Sequence, residues 1–139
     1  MASVKKELII EVPVENIWAI IRDFAAGPVR MAPGYAVDSK LVGPDTRVVD
    51  FANGSNLRER LVTIDDDDRR FVYSIIGGSV TPEHNNATMQ VFPHGDGHSR
   101  FVWIHDVLPA EVAEAFSAGM DEGLRSFKQS QEGVAASPS

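Results

Sequence analysis

Residues 99–131, SRFVWIHDVLPAEVAEAFSAGMDEGLRSFKQSQ, join an aromatic strand to a long amphipathic helix. Trp103 and His105 stand two residues apart, so in a strand both side chains project from the same face. In the helical part, apolar and small residues recur at helical spacing while the charged residues fall elsewhere. The stripe consists of Val112, Phe116, Gly119, Met120, Gly123 and Phe127. The segment therefore predicts a helix lying on an apolar surface, next to a strand that carries a titratable ring.

Gly119 and Gly123 are unusual members of this stripe, because a glycine inside a helix costs about 1 kcal/mol relative to alanine. Two explanations would offset that cost. Either another element packs closely against the helix at these positions, or the missing side chains leave room for a guest between helix and sheet.

Composition places the chain among ordinary single-domain proteins. It has 139 residues, of which 43% are hydrophobic, and a net charge of −7 from 13 basic and 20 acidic residues. The acidic balance and the lack of a basic stripe argue against nucleic acid as a partner. No apolar run approaches the roughly 20 residues of a membrane span, and the N-terminus lacks a signal-peptide pattern. We expect one domain over residues 1–131, a flexible tail over residues 132–139, and a cytoplasmic location.

The remaining sequence reads as one strand, two short helices and six further strands. Residues 4–12 alternate in polarity, and a helical pattern follows from Pro13 to near Ala26, with a short helical segment over VRMAP (residues 29–33). Turn signals then separate six β-rich runs. These runs are residues 35–42, 46–52, 56–64, 69–76, 86–93 and 98–107. The order predicts an α+β protein with a seven-stranded antiparallel sheet and a long C-terminal helix.

Four segments of this layout resemble the helix-grip superfamily, which includes START domains, Bet v 1-like proteins and the polyketide cyclase/dehydratase-like branch of the SRPBCC proteins. The segments are VPVENIWAIIRDF (12–24), LRERLVTID (57–65), RRFVYSI (69–75) and FVWIHDVLP (101–109). The resemblance implies a bent sheet that grips the C-terminal helix, with a cavity for hydrophobic small molecules between them. On that implication, Gly119 and Gly123 make room for a ligand.

Strand parity places candidate catalytic residues in this space. Glu59 shares its face with Leu57 and Leu61, so the apolar pair draws the carboxylate inward. A turn over the aspartate run 65–68 would set Tyr73 opposite Leu61 and Ile75 opposite Glu59. A turn at Asp96 would set Trp103 opposite Met89 and His105 opposite Ala87. Glu59, Tyr73 and His105 then line one apolar space.

These three residue types suit acid–base chemistry on a carbonyl compound. Burial raises the pKa of a carboxyl group and lowers that of an imidazole, so Glu59 or His105 could accept a proton while Tyr73 donates to the developing oxyanion. The alternative is structural. Glu59 would then pair with a nearby arginine or fix a backbone amide, and His105 and Tyr73 would satisfy buried hydrogen bonds or orient a ligand.

The sequence thus predicts a protein that binds a hydrophobic, carbonyl-bearing or aromatic small molecule. Cyclase or dehydratase activity of lyase type is one version of this function, and a carrier without catalysis is the other. The predicted ligand-binding residues are Trp18, Phe24, Met31, Tyr35, Phe51, Leu61, Met89, Trp103, Phe116, Gly119, Met120 and Gly123. We expect neither a metal site nor a cofactor, since no motif for one is present.

Two further expectations concern the surface. The residues 84–86, His-Asn-Asn, follow Pro82 and are predicted to form a polar loop between strands, with a position at the rim of the cavity mouth as the alternative. Apolar residues of outward parity indicate either a homodimer face or a covered sheet edge; they are Val62, Ile64, Val102 and Ile104.

Overall fold

A computed structural model describes residues 2–136 of the chain. Its elements, in chain order, are β1 (Ala2–Ile10), α1 (Val14–Ile21), α2 (Gly27–Met31), β2 (Ala36–Leu41), β3 (Thr46–Phe51), β4 (Asn56–Asp65), β5 (Arg70–Gly78), β6 (His84–Pro93), β7 (Ser99–Leu108) and α3 (Ala113–Ala136). A single 3₁₀ turn, Ala110–Val112, links β7 to α3.

The seven strands form one antiparallel sheet in the order β1-β7-β6-β5-β4-β3-β2. Meander connections join β2 through β7, and β1 returns to pair with β7, so the chain's first strand lies beside its last. The long helix α3 packs against β1 and β7. This is the helix-grip α+β fold that the sequence predicts.

The register of the two central hairpins confirms the predicted faces. The aligned pairs are Glu59 with Ile75, Leu61 with Tyr73, Met89 with Trp103, and Ala87 with His105. In the β6–β7 hairpin these pairs continue the register of the turn. In the β4–β5 hairpin, where Asp65 pairs with Arg70 at the turn, a bulge between Leu61 and Thr63 shifts the register by one residue and so gives these pairs.

The apolar stripe of α3 forms the contact between helix and sheet. Phe116, Met120 and Phe127 are buried, and the Phe127 ring meets that of Phe101 edge-on with centroids 5.4 Å apart. Burying one such side chain stabilises the fold by roughly 1.5–3 kcal/mol. On the far side of the core, Ile17, Trp18 and other residues of α1 complete the same cluster.

The aspartate run forms the predicted turn between β4 and β5, and it also binds α1. The Asp65 carboxylate accepts the backbone N–H groups of Asp67 and Asp68. Asp66 accepts hydrogen bonds from Arg22 Nε at 2.8 Å and from the indole Nε1 of Trp18 at 2.9 Å. The bonds from Arg22 and then Trp18 lower the pKa of Asp66. The turn is thereby fastened to the first helix.

The prediction of an outward apolar face is wrong, because β4 contains a bulge. The register shifts between Leu61 and Thr63, which reverses the parity beyond that point. Ile64 therefore packs against the core, whereas Val62 is 56% exposed. Since Val102 is also buried within the single chain, the four residues do not form one exposed apolar patch.

Some element boundaries also differ from the sequence prediction. Helix α1 ends at Ile21 rather than near Ala26, and a turn follows in which the Asp23 carboxylate accepts the backbone N–H of Ala26 before the short helix that begins at Gly27. Helix α3 continues through Ala136, so the first residues of the predicted tail 132–139 are helical. Residues 137–139 lie outside the described part of the chain.

Candidate ligand-binding cavity

A cavity of about 430 Å³ lies between the sheet and helix α3. Residues from α2, strands β2 to β7 and the first half of α3 line it. Of the predicted ligand-binding residues, the lining includes Met31, Tyr35, Phe51, Met89, Trp103, Phe116, Gly119, Met120 and Gly123. The predicted catalytic residues Glu59, Tyr73 and His105 line it as well.

Three predicted ligand-binding residues do not line the cavity. Trp18 is buried on the core side of α1, where its indole N–H bonds to the β4–β5 turn. Phe24 instead supports Arg47, since its ring lies 4.7 Å from the guanidinium carbon. Leu61 packs against the apolar core near the far end of the hairpin. These three apolar side chains belong to the hydrophobic core or pack against it, and they do not face the cavity.

At the two helix glycines the structure shows the close packing that was the first of the two explanations. A β-carbon placed at Gly123 would lie 3.2 Å from Cζ3 of Trp103, and one at Gly119 would lie 3.2 Å from Oη of Tyr35. Both contacts are tighter than ordinary van der Waals distance. The glycines therefore let two aromatic side chains approach α3 closely, and these aromatics form part of the cavity wall.

A buried ion pair occupies the wall of the cavity. Arg47 and Glu59 lie opposite each other on β3 and β4. Arg47 Nε and Nη2 contact the same carboxylate oxygen of Glu59, Oε1, at 2.9 and 2.8 Å. Arg47 Nη1 donates to the carbonyl of Phe24 at 2.9 Å. Within residues 2–136, the other carboxylate oxygen of Glu59 accepts no hydrogen bond.

Arg47 is a charged residue of the cavity wall that the sequence analysis did not single out. Only 3% of its surface is exposed, and its guanidinium lies near the rings of Phe71 and Tyr73 as well as that of Phe24. Arg47 shares strand parity with Val49 and Phe51, and this parity was the available signal that its side chain faces inward.

His105 is held as a neutral hydrogen-bond donor. The backbone N–H of Ile75 donates to Asn85 Oδ1 at 2.9 Å, which turns the Asn85 amide nitrogen toward His105 Nδ1 at 3.0 Å. Since that nitrogen only donates, Nδ1 must accept and the ring proton resides on Nε2. Desolvation by burial lowers the pKa of His105 to about 4, although nearby Asp106 raises it slightly. At neutral pH the ring is uncharged.

Asn85 corrects the prediction of a polar loop over residues 84–86. Strand β6 begins at His84, and Asn85 is only 5% exposed. Its amide connects β5 to β7 and fixes the tautomer of His105. The His105 ring also stacks on Phe116 with centroids 5.0 Å apart, so both its position and its protonation are determined by neighbours.

Tyr73 supplies a second neutral donor on the same wall. Its hydroxyl accepts a 3.3 Å bond from Trp103 Nε1 and donates to no acceptor in the described part of the protein. Burial, and then the Glu59 charge, raise the pKa of Tyr73 far above its usual value. The phenol therefore remains protonated, and its ring lies 5.9 Å from that of His105. Together the two residues can hydrogen-bond a ligand oxygen or stabilise an oxyanion.

Exposed polar residues mark the mouth of the cavity. Tyr35 and Phe51 stand there with ring centroids 5.0 Å apart, next to Asn53 and Ser79 from the neighbouring turns. The exposed Glu122 of α3 also lines the cavity near Tyr35, and burial, followed by the Glu122 charge, raises the pKa of Tyr35.

The helices described here are too short or too polar to cross a membrane. No cluster of three or more His, Asp or Glu side chains suited to a metal ion occurs within residues 2–136.

The family model for polyketide cyclase / dehydrase and lipid transport proteins matches residues 1–132. The chain belongs to this family. The match spans nearly the whole sequence. The cavity, the Arg47–Glu59 ion pair and the donors Tyr73 and His105 therefore all lie within the family domain. A search of curated proteins gave no match.

Solved structures with the same fold include proteins of different kinds. The protein XoxI from Bacillus cereus has a TM-score of 0.82 at 23% identity, with 99% of this chain and 100% of that chain covered. The di-domain ARO/CYC BexL from the BE-7585A biosynthetic pathway has a TM-score of 0.81 at 15% identity, with 99% and 48% covered. A START superfamily protein from Mycobacterium smegmatis has a TM-score of 0.74 at 14% identity, with 95% and 98% covered. At these identities the likeness establishes the fold alone.

Proposed function

We propose that this protein binds an apolar small molecule carrying a carbonyl group, which Tyr73 and His105 orient through hydrogen bonds. The observation that supports this most directly is the pair of neutral donors on the wall of a largely apolar cavity. A volume of about 430 Å³ falls in the range of small-molecule sites. The family, which comprises cyclase, dehydrase and lipid-transport proteins, is consistent with such a ligand.

Removing one donor should weaken carbonyl binding specifically. For Tyr73→Phe, we expect the affinity for 2-acetylnaphthalene to fall about 3- to 10-fold, the value of one hydrogen bond. Titration calorimetry, or the fluorescence of Trp103 in the cavity wall, would measure this. 2-Ethylnaphthalene, which lacks the carbonyl, serves as the matched probe and should bind both proteins equally. An equal loss for both probes would indicate altered packing and contradict carbonyl recognition.

Native mass spectrometry of freshly purified protein tests the proposal more broadly. A retained small molecule would support it and would reveal the ligand's mass. A consistently empty protein that binds no member of a broad hydrophobic library would contradict it.

Acid–base catalysis of the cyclase or dehydratase type is the second candidate, favoured by one observation. The second carboxylate oxygen of Glu59 is unbonded within the described residues, and it belongs to a side chain that lines the cavity. Glu59 would remove a proton next to the carbonyl, while Tyr73 and His105 donate to the enolate oxygen. His105 suits donation rather than proton removal, because Asn85 occupies its only lone pair.

Catalysis predicts a large loss of activity in Glu59→Gln. Deuterium exchange into the methyl group of 2-acetylnaphthalene, followed by NMR, should slow about 100-fold or more in this variant if Glu59 is the base. His105→Ala should also slow the exchange, and circular dichroism would verify that both variants fold. Unchanged exchange rates in both variants would contradict this catalytic mechanism and would leave ligand binding without catalysis as the proposed function.

A further inference from the structure

The charged residues that line the cavity bear on whether a ligand can carry a charge of its own. The lining includes three residues that are charged at neutral pH, namely Arg47, Glu59 and Glu122. Arg47 and Glu59 are the buried ones, with side chains 4% and 6% exposed, whereas Glu122 is an exposed residue at the mouth. The inner cavity therefore contains one positive and one negative group in direct contact.

Arg47 is already committed to partners within the protein. Two of its nitrogens contact Glu59, a third donates to the Phe24 carbonyl, and aromatic rings cover its guanidinium. A bidentate arginine is the usual receptor for a carboxylate. Here, Glu59 takes the place that the carboxylate of a ligand would occupy.

An anionic ligand would accordingly be buried without compensation. Transferring a carboxylate from water into an apolar site is costly unless a positive group pairs with it. Glu59 cancels the charge of Arg47, Tyr73 and His105 are neutral donors, and Glu122 adds negative charge at the entrance. An uncharged carbonyl compound needs only hydrogen bonds, which Tyr73 and His105 can provide.

We propose that Glu59 is a specificity-determining residue which, by occupying Arg47, makes the cavity select uncharged ligands over carboxylates. The inference rests on the proposed binding function and narrows its ligand class. It assigns the ion pair a role distinct from stability, because the same two charges placed elsewhere in the core would not act on a ligand.

Two probes of the same ring system and different charge test this selectivity. Wild-type protein at pH 7 should bind 2-acetylnaphthalene at least tenfold more tightly than 2-naphthoate, which is ionised at that pH. In Glu59→Gln, Arg47 loses its carboxylate, so the ratio of the two affinities should move at least tenfold toward 2-naphthoate. The double variant Arg47→Gln/Glu59→Gln is the matched control. It has no charge at either position and should keep a preference for the ketone.

The reciprocal variant keeps the test decisive if Glu59→Gln does not fold. Arg47→Gln leaves the carboxylate alone in the wall, so the affinity ratio should move toward the cation 2-naphthylmethylammonium. Equal binding of ketone and naphthoate by the wild type, or a folded Glu59→Gln with an unchanged ratio, would overturn the selectivity while leaving the binding function standing. Failure of the wild type to bind any of the three probes would overturn both.

Discussion

Replacing Arg47 by methionine should lower the free energy of unfolding by about 3–5 kcal/mol. The substitution leaves the Glu59 carboxylate buried without its partner, and removing one member of a buried pair typically costs that much. It also removes the donor to the Phe24 carbonyl and the guanidinium that contacts three aromatic rings. Urea unfolding at pH 7, followed by circular dichroism, would give the difference.

The double variant Arg47→Met/Glu59→Leu should recover most of this loss, because no unpaired charge remains and the new side chains are apolar. Arg100→Met provides a surface control. Arg100 contacts Glu7 at 2.8 Å, but both side chains are more than a third exposed, so its loss should stay within about 1 kcal/mol. If Arg47→Met were no more destabilising than Arg100→Met, the buried pair would not be the strong interaction that its geometry indicates.

Acidification from pH 7 to pH 4 should cost the protein about 3 kcal/mol of stability through His105 alone. The pKa of this residue is about 4 in the folded protein, against an ordinary value of 6.5. Between these values the unfolded chain binds the proton and the folded protein does not, so stability falls as the pH falls through this window. The figure follows from the shift at about 1.4 kcal/mol per pKa unit.

His105→Gln isolates this contribution from that of the carboxylates. Glutamine does not titrate, and its amide oxygen can accept the bond from Asn85, so the variant should lose about 3 kcal/mol less than the wild type between pH 7 and pH 4. His94→Gln makes the same substitution at an exposed histidine and serves as the matched control. Parallel stability curves for wild type and His105→Gln would show that the folded-state pKa is not depressed.

Much of the fold and part of the candidate site follow from the sequence because the hairpins are tightly connected. Glu59, Tyr73 and His105 each alternate with inward apolar neighbours on their own strands, which predicts that all three face the same space, although the pairing across β4 and β5 also depends on a bulge. Ile64 shows where this reasoning ends. A bulge adds one residue to β4, and nothing in the local sequence marks its position.

Polar partnerships were harder to foresee than apolar faces. Asn85 has a polar sequence context typical of a loop, yet its role depends on Ile75 and His105 from two other strands. Trp18 has helical spacing suited to a core, and its indole N–H finds Asp66 in a turn 48 residues away. Such contacts depend on tertiary geometry. The periodicity of apolar residues, in contrast, can be seen in a short stretch of sequence.

The attachment of Asp66 to Trp18 and Arg22 makes the two ends of the β4–β5 hairpin mechanically unequal. At one end the turn is bonded to α1, and at the other the neighbouring turns bear Asn53 and Ser79 at the cavity mouth. Local opening requires far less free energy than global unfolding, and it occurs where few contacts must break. We therefore expect the residence time of the proposed ligand to depend on local opening at the mouth end more than on the stability of the end that is bonded to α1.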